Sequence, residues 1–194
     1  MTHHFNDKHH DHFMKKVSYL DNQQRNTTLP PEKFLAMIPL TATDSLLDLG
    51  AGTGFLTLPA AKQSGNVYAL DLSAKMLELI ATRAVEADLA NIQLLNASID
   101  DIPLEDNTVD HVLASLVLHE LSDLETALGQ VHRVLKPGGH FAILELEQSD
   151  HGHGHHGAPR LEPTTLINSL KEAGFILKDQ HHTSDSLYVL IAQK

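Results

Sequence analysis

Short apolar runs at residues 46–49, 67–70, 92–95, 109–114 and 140–146, most of them bounded by Gly, Asn, Asp or Ser, read as five strands. Between them, residues 55–64, 73–87 and 124–135 carry apolar positions at helical spacing, clearest in Met76, Leu77, Ile80, Ala84 and Ala87. Strands alternating with helices predict βαβ units, and so a parallel sheet with right-handed crossovers. Gly65-Asn66 stops the first of these helices, and Lys136-Pro137-Gly138-Gly139 breaks the third ahead of the fifth strand. An earlier helix starts after Pro30-Pro31, turns Phe34, Leu35 and Ile38 to one side, and stops at Pro39. After the fifth strand come an exposed His/Gly loop over 150–158 and a helix from Pro163 to Ala173, ended by Gly174. Two further runs, 175–182 and 186–193, are close enough to pair as a hairpin. Residues 1–30 lack sustained periodicity apart from a short helix around His12 to Leu20, so the chain divides into an N-terminal segment, 1–30, and one domain, 31–194.

The first strand leads straight into Asp48-Leu49-Gly50-Ala51-Gly52-Thr53-Gly54. Glycine at alternate positions lets the backbone take positive φ and lets a ligand lie against the main chain, near the free N–H groups that open the next helix. Position 55 is Phe, not the third glycine of a dinucleotide fingerprint, and no phosphate loop G-x-x-x-x-G-K-[ST] is present, which disfavours a nicotinamide or a nucleoside triphosphate. The second strand, Val67-Tyr68-Ala69-Leu70, ends in Asp71, an acceptor-only group suited to a diol. The plainer alternative is an ordinary strand-to-helix turn, with Asp71 capping the helix near Ser73.

With these residues in register, the chain resembles the class I S-adenosylmethionine-dependent methyltransferases, of the small-molecule, ubiquinone/menaquinone-methyltransferase-like type. Two further stretches carry the resemblance. Residues Asp101 to Asp110 resemble the "LPF-D-x-x-F-D" approach to strand four, and His132 to Gly139 resemble the "R-V-L-K-P-G-G" turn before strand five. The resemblance implies an α/β fold: a three-layer Rossmann-like sandwich whose mostly parallel seven-stranded sheet has the order 3-2-1-4-5-7-6 and ends in an antiparallel hairpin. It also implies that Gly50, Gly52 and Gly54 close on the methionine part of S-adenosylmethionine, that Asp71 takes both ribose hydroxyls, and that Asp48 orients the loop and the cofactor's ammonium. Leu72 and Met76 are expected to flank adenine or ribose, Ser98 and Ile99 to meet the adenine edge, and Ser115 to close the cofactor side after strand four. Ser98 departs from relatives with a "G-D-A-x-x-L-P" pattern, which offer Asp there. A hydroxyl accepts from the adenine amino group less strongly than a carboxylate.

Ligands of open α/β sheets lie outside the carboxyl ends of the strands, where the strand order reverses. His119 directly follows strand four and is the expected base or acceptor contact; Glu145, near the end of strand five, is the second catalytic candidate in the pocket. Tyr19 and Arg25 lie in the segment that in relatives folds over the acceptor side. Ala114 to Leu118 is apolar but for Ser115, and no Asn/Asp-Pro-Pro-Tyr/Phe motif of amino-directed enzymes appears. A small-molecule acceptor is therefore expected.

Composition narrows the partners. Fourteen Lys plus Arg stand against 25 Asp plus Glu, a formal charge of −11 without a basic cluster, which argues against nucleic acid. No apolar run approaches the ~20 residues that cross a bilayer, and the start lacks a signal-peptide pattern, so no membrane partner and a soluble, cytoplasmic protein are expected. The absence of Cys excludes thiolate catalysis, disulfides and an arsenite methyltransferase. Fifteen His are unusual: five are His3, His4, His9, His10 and His12, and four lie in His151-Gly152-His153-Gly154-His155-His156. Imidazoles so spaced suit Zn or Ni, and His151, His153, His155 and His156 are the candidate metal ligands, set against a solvated loop that binds metal weakly. An alternative function follows, a metal-binding or metal-sensing module on a catalytically inactive methyltransferase fold. The oligomeric state is left open, a homodimer among the states allowed.

Overall fold

The computed structural model describes residues 13–21, 29–146, 160–182 and 187–194. Helical backbone over 13–20 (α1) and the helix Pro31–Leu35 (α2) precede strand Ser45–Leu49 (β1). The chain continues through Thr57–Ala61 (α3), Asn66–Leu70 (β2), Ala74–Glu86 (α4), Ile92–Leu95 (β3), Val109–Ser115 (β4) and a single 3₁₀ turn, Leu118–Glu120. Leu124–Val134 (α5), Leu135–Leu146 (β5), Pro163–Glu172 (α6), Ile176–His182 (β6) and Leu187–Gln193 (β7) complete the described elements. The seven strands form one sheet in the order β3-β2-β1-β4-β5-β7-β6, parallel from β3 to β5 and antiparallel on both sides of β7. This is the order that the family resemblance implies.

The central strands are apolar almost throughout because both of their faces are covered. Side chains alternate across a strand, so Val112, Ala114, Phe141 and Ile143 face the α5 and α6 side with Leu128, Val131, Leu166 and Leu170. Leu113, Ala142 and Leu144 face the opposite side with Phe34, Leu35, Ala60 and Ala61 of α2 and α3. Three layers follow directly from that alternation.

Two elements differ from the sequence expectation. The helix expected over 55–64 is only Thr57–Ala61, because residues up to Leu56 stay in the turn, where the Gly54 N–H bonds Ala51 O at 2.9 Å. At its far end the Gln63 N–H and Ser64 Oγ both return to Ala60 O. The break expected at Lys136 to Gly139 is instead built into β5, which begins at Leu135. The Gly138 N–H bonds Lys194 O and the Lys194 N–H bonds Gly139 O, each at 3.0 Å. A Cβ on Gly139 would stand 2.2 Å from Leu135 Cδ2 and 2.7 Å from Asp110 O, so only glycine allows this close pairing.

At the opposite end of the sheet from the strands' carboxyl ends, His111 and His140 are register partners on β4 and β5, with ring centroids 5.6 Å apart. His111 is 4% exposed, and its Nε2 lies 3.2 Å from Asp44 Oδ2. Burial holds His111 below the ordinary imidazole value against the pull of Asp44 and Asp110. Burial does the same to His140, helped by His111 and Lys178, and to His132, helped by Lys194. An unfolded chain takes up these protons near about pH 6.5 while the folded rings resist. Their contribution to stability is thus complete above that pH and is lost as pH falls through it toward the folded values. Scanning calorimetry at about pH 7.5 and 5.5 should show a lower unfolding temperature at the acid pH, and His111→Gln should shrink the difference.

Candidate functional site

β1 delivers the chain to a loop in which Gly50, Gly52 and Gly54 all have positive φ, at 61°, 54° and 86°. At Gly50 a Cβ would stand 2.6 Å from Val117 Cγ2, so the glycine is required by close approach as well as by φ. The turn after β4 is therefore packed directly on the loop after β1. Beneath it, Asp48 is 3% exposed and accepts the Thr57 hydroxyl at 2.6 Å, which ties the end of β1 to the first turn of α3.

Asp71 is the second anchor. One carboxylate oxygen takes the Gly52 N–H and the other the Ser73 N–H, each at 2.8 Å. Ser73, not Asp71, caps α4 by accepting from the Met76 N–H. Asn96 Nδ2 donates to the carbonyls of Asp71 and Leu72 at 3.0 Å, fixing the backbone on which the acid is mounted. Leu72 is 75% exposed and offers apolar surface there. Met76, expected beside adenine or ribose, is 2% exposed and presents almost nothing to a ligand. Of the two residues expected at the adenine edge, Ile99 is 6% exposed, and Ser98 Oγ accepts the Asp100 N–H at 3.3 Å.

The turn after β4 holds the other cluster. Leu116 has φ 56°, a left-handed conformation unusual for a branched apolar residue and one that strains the backbone. His119 Nδ1 lies 2.7 Å from Glu145 Oε2, and Glu145 Oε1 accepts the N–H groups of Val117 at 3.1 Å and Leu118 at 2.8 Å. The hydrogen bond to Glu145 raises the His119 imidazole above its ordinary value, against the effect of burial. Glu145, expected to line the pocket, is fully buried and lies under the turn instead. Ser115 ends β4 beside these residues.

Residues that the sequence reading did not single out also meet at the loop. Arg83 Nη1 donates to Thr53 O at 2.8 Å, and the same guanidinium pairs with Asp21 just after α1. Leu20 Cδ1 lies 3.6 Å from where a Cβ on Gly52 would stand, so α1 reaches the glycine loop. Asn96 and Arg83 carried no motif, while Val117 was legible only as part of an apolar stretch. The first twelve residues, Arg25 and the loop with His151, His153, His155 and His156 lie outside the described residues. Among the described residues, no group of three or more His, Cys, Asp or Glu is placed to hold a metal ion. No helix among them is long and apolar enough to cross a membrane.

Comparison with known proteins agrees with this fold. A family described as "Methyltransferase domain" matches residues 47–143. A demethylmenaquinone methyltransferase of Geobacillus sp. is 38% identical over 105 residues, covering 53% of this chain and 45% of that protein. Its counterpart from Lactobacillus johnsonii is 34% identical over 148 residues, 72% of this chain and 61% of that protein. The chain thus spans roughly half of the length of these relatives. A crystal structure of an S-adenosylmethionine-dependent methyltransferase from Aquifex aeolicus superposes with a TM-score of 0.84 at 26% identity, covering 92% of this chain and 97% of that one.

Proposed function

We propose, since the chain belongs to the methyltransferase domain family, that it transfers a methyl group from S-adenosylmethionine to a small apolar acceptor. The observation that carries this reading is the Asp71 carboxylate, which spends one lone pair of each oxygen on the Gly52 and Ser73 N–H groups and keeps others for two ligand hydroxyls. The fit to the cofactor is supported by a loop that has no side chain at Gly50, Gly52 and Gly54, where a Cβ would meet Val117 at the first, Leu20 at the second and Ile80 at the third. When bound, S-adenosylmethionine supplies a methyl group already activated on a sulfonium, so alignment and exclusion of water are what the chain must add.

The residues divide that work. Gly50, Gly52 and Gly54 would receive the methionine part and Asp71 the ribose, while Asp48 holds the loop through Thr57. Leu72 gives an apolar surface for adenine, with Ser98 and Ile99 at its edge and Ser115 at the floor. Leu116 and Val117, both partly exposed, form the apolar wall against which an acceptor lies in line with the methyl group, with His119 beside it. The relatives' names specify demethylmenaquinone, and an aromatic, quinone-like acceptor matches this apolar turn. A Zn or Ni ion at His151 to His156 would lie outside the described residues, and no step of this reading uses one.

Titration calorimetry with S-adenosylmethionine tests the reading. Saturable binding of one molecule per chain is expected, with S-adenosylhomocysteine competing for the same site. Absence of binding by the folded protein would overturn it.

A further inference from the structure

Glu145 is a buried acid that the cofactor does not need. It is fully enclosed, and every group directed at it is a donor: the N–H groups of Val117 and Leu118 on Oε1, and His119 Nδ1 with the Leu146 N–H, at 3.3 Å, on Oε2. A carboxylate surrounded by donors can only accept, so the proton between it and His119 belongs to Nδ1. The neutral imidazole then has its lone pair on Nε2, which has no hydrogen bond among the described residues, in a side chain that keeps 6% of its surface exposed. The same carboxylate holds the two residues before His119 by their backbone, and Val117 rests against the Gly50 position. One buried group thereby sets both the place of the imidazole relative to the glycine loop and its tautomer.

We propose that Glu145 is a positioning residue that fixes His119 as an Nδ1–H imidazole, so that Nε2 takes a proton from the acceptor during methyl transfer. This rests on the methyltransferase reading and deepens it. The acceptor is then one with an acidic hydroxyl, of phenol or enol type. As the acceptor forms its bond to the methyl carbon, the electrons of the broken carbon–sulfur bond remain on sulfur, the hydroxyl proton passes to Nε2, and the imidazolium later returns it to water. The Glu145 side chain accepts from the imidazolium and stabilises it, in keeping with the upward shift of His119. An acceptor with no proton to lose would gain nothing from this arrangement.

Glu145→Gln separates positioning from simple scaffolding. Its amide oxygen can still accept from Val117 and Leu118, but its NH₂ then faces Nδ1 and forces the proton onto Nε2. The opposite amide orientation sets NH₂ against two N–H donors. Imidazole nitrogen NMR on the cofactor-free protein should show an Nδ1–H ring for His119 that titrates above a free imidazole, and in Glu145→Gln an Nε2–H ring that titrates lower. With dihydroxynaphthalene as probe acceptor, kcat/KM should fall on the acid side with the His119 midpoint. Glu145→Gln should reduce kcat about 10²–10⁴-fold with S-adenosylmethionine affinity nearly unchanged, and Glu145→Asp should recover part of it. His119→Gln, which leaves the buried acid in place, should lose transfer likewise and covers the case in which the first variant fails to fold. An Nε2–H ring in the wild type, a pH limb unrelated to His119, or no transfer to the probe by protein that binds S-adenosylmethionine would overturn the proposal alone. Failure to bind S-adenosylmethionine would overturn the methyltransferase reading, and the proposal with it.

Discussion

Asp71→Asn should weaken S-adenosylmethionine binding roughly a hundredfold, the equivalent of about 3 kcal/mol, while leaving the protein folded. The carboxylate takes one N–H from each side, Gly52 and Ser73, both at 2.8 Å. An amide has one acceptor atom, so its NH₂ must face one of those two donors, and the glycine loop or the start of α4 loses its tether. The charge that would receive two ribose hydroxyls also disappears, and bonds to an ionised acceptor are about twice as strong as neutral ones. Calorimetric titration reads the affinity, and a melting curve reads the fold. Binding within a fewfold of wild type, in a variant that melts normally, would remove Asp71 from the cofactor site and leave it as a loop brace.

Gly50→Ala should cost stability and cofactor affinity together. An L residue at φ 61° costs about 1–2 kcal/mol, and the overlap with Val117, 2.6 Å to Cγ2 and 3.1 Å to Cβ, adds about 1–3 kcal/mol of overpacking. A total near 3 kcal/mol lowers the unfolding temperature by about 6–12 °C in a chain of this size. Val117 is β-branched and stiff at χ1, and its N–H is held by Glu145, so it cannot simply rotate away. The displacement passes to Leu118 and His119. Gly50→Ala combined with Val117→Ala should recover the packing part of the loss but not the backbone part. Equal melting temperatures for the single and double variants would show that Val117 is not the obstacle.

Much of the glycine loop and its carboxylate anchors was legible because the signals are local. Asp48, the three glycines and Asp71 each sit at an element boundary that hydrophobic periodicity locates, and their spacing carries the chemistry. The turn after β4 was less legible because it is made by contacts distant in sequence. Nothing near Leu116 announces a positive φ, since the strain is held by the Leu116 N–H on Leu144 O and by Glu145 from another strand. Glu145 itself looked like a pocket residue because alternation along β5 does not say whether a polar position meets a ligand or the backbone of a neighbouring turn. Met76 reads the same as core or as adenine contact at helical spacing, and in the fold it is 2% exposed. The Lys-Pro-Gly-Gly stretch punctuates a sequence as a turn, yet Asp110 and Lys194 draw it into the sheet.

The place of β7 between β5 and β6 also bears on how the protein is made. Of the described strands it is the last to be synthesised, yet it fills an interior position. Until it arrives, β5 exposes an unpaired edge running through Phe141 to Leu144, an apolar run with the features of an aggregation site. Long-range pairing of this kind is slow, so the nascent chain has an interval in which β5 is paired with β4 alone. Slower translation, a lower growth temperature or added chaperone should therefore raise soluble yield in a foreign host while leaving the melting temperature of the finished protein unchanged.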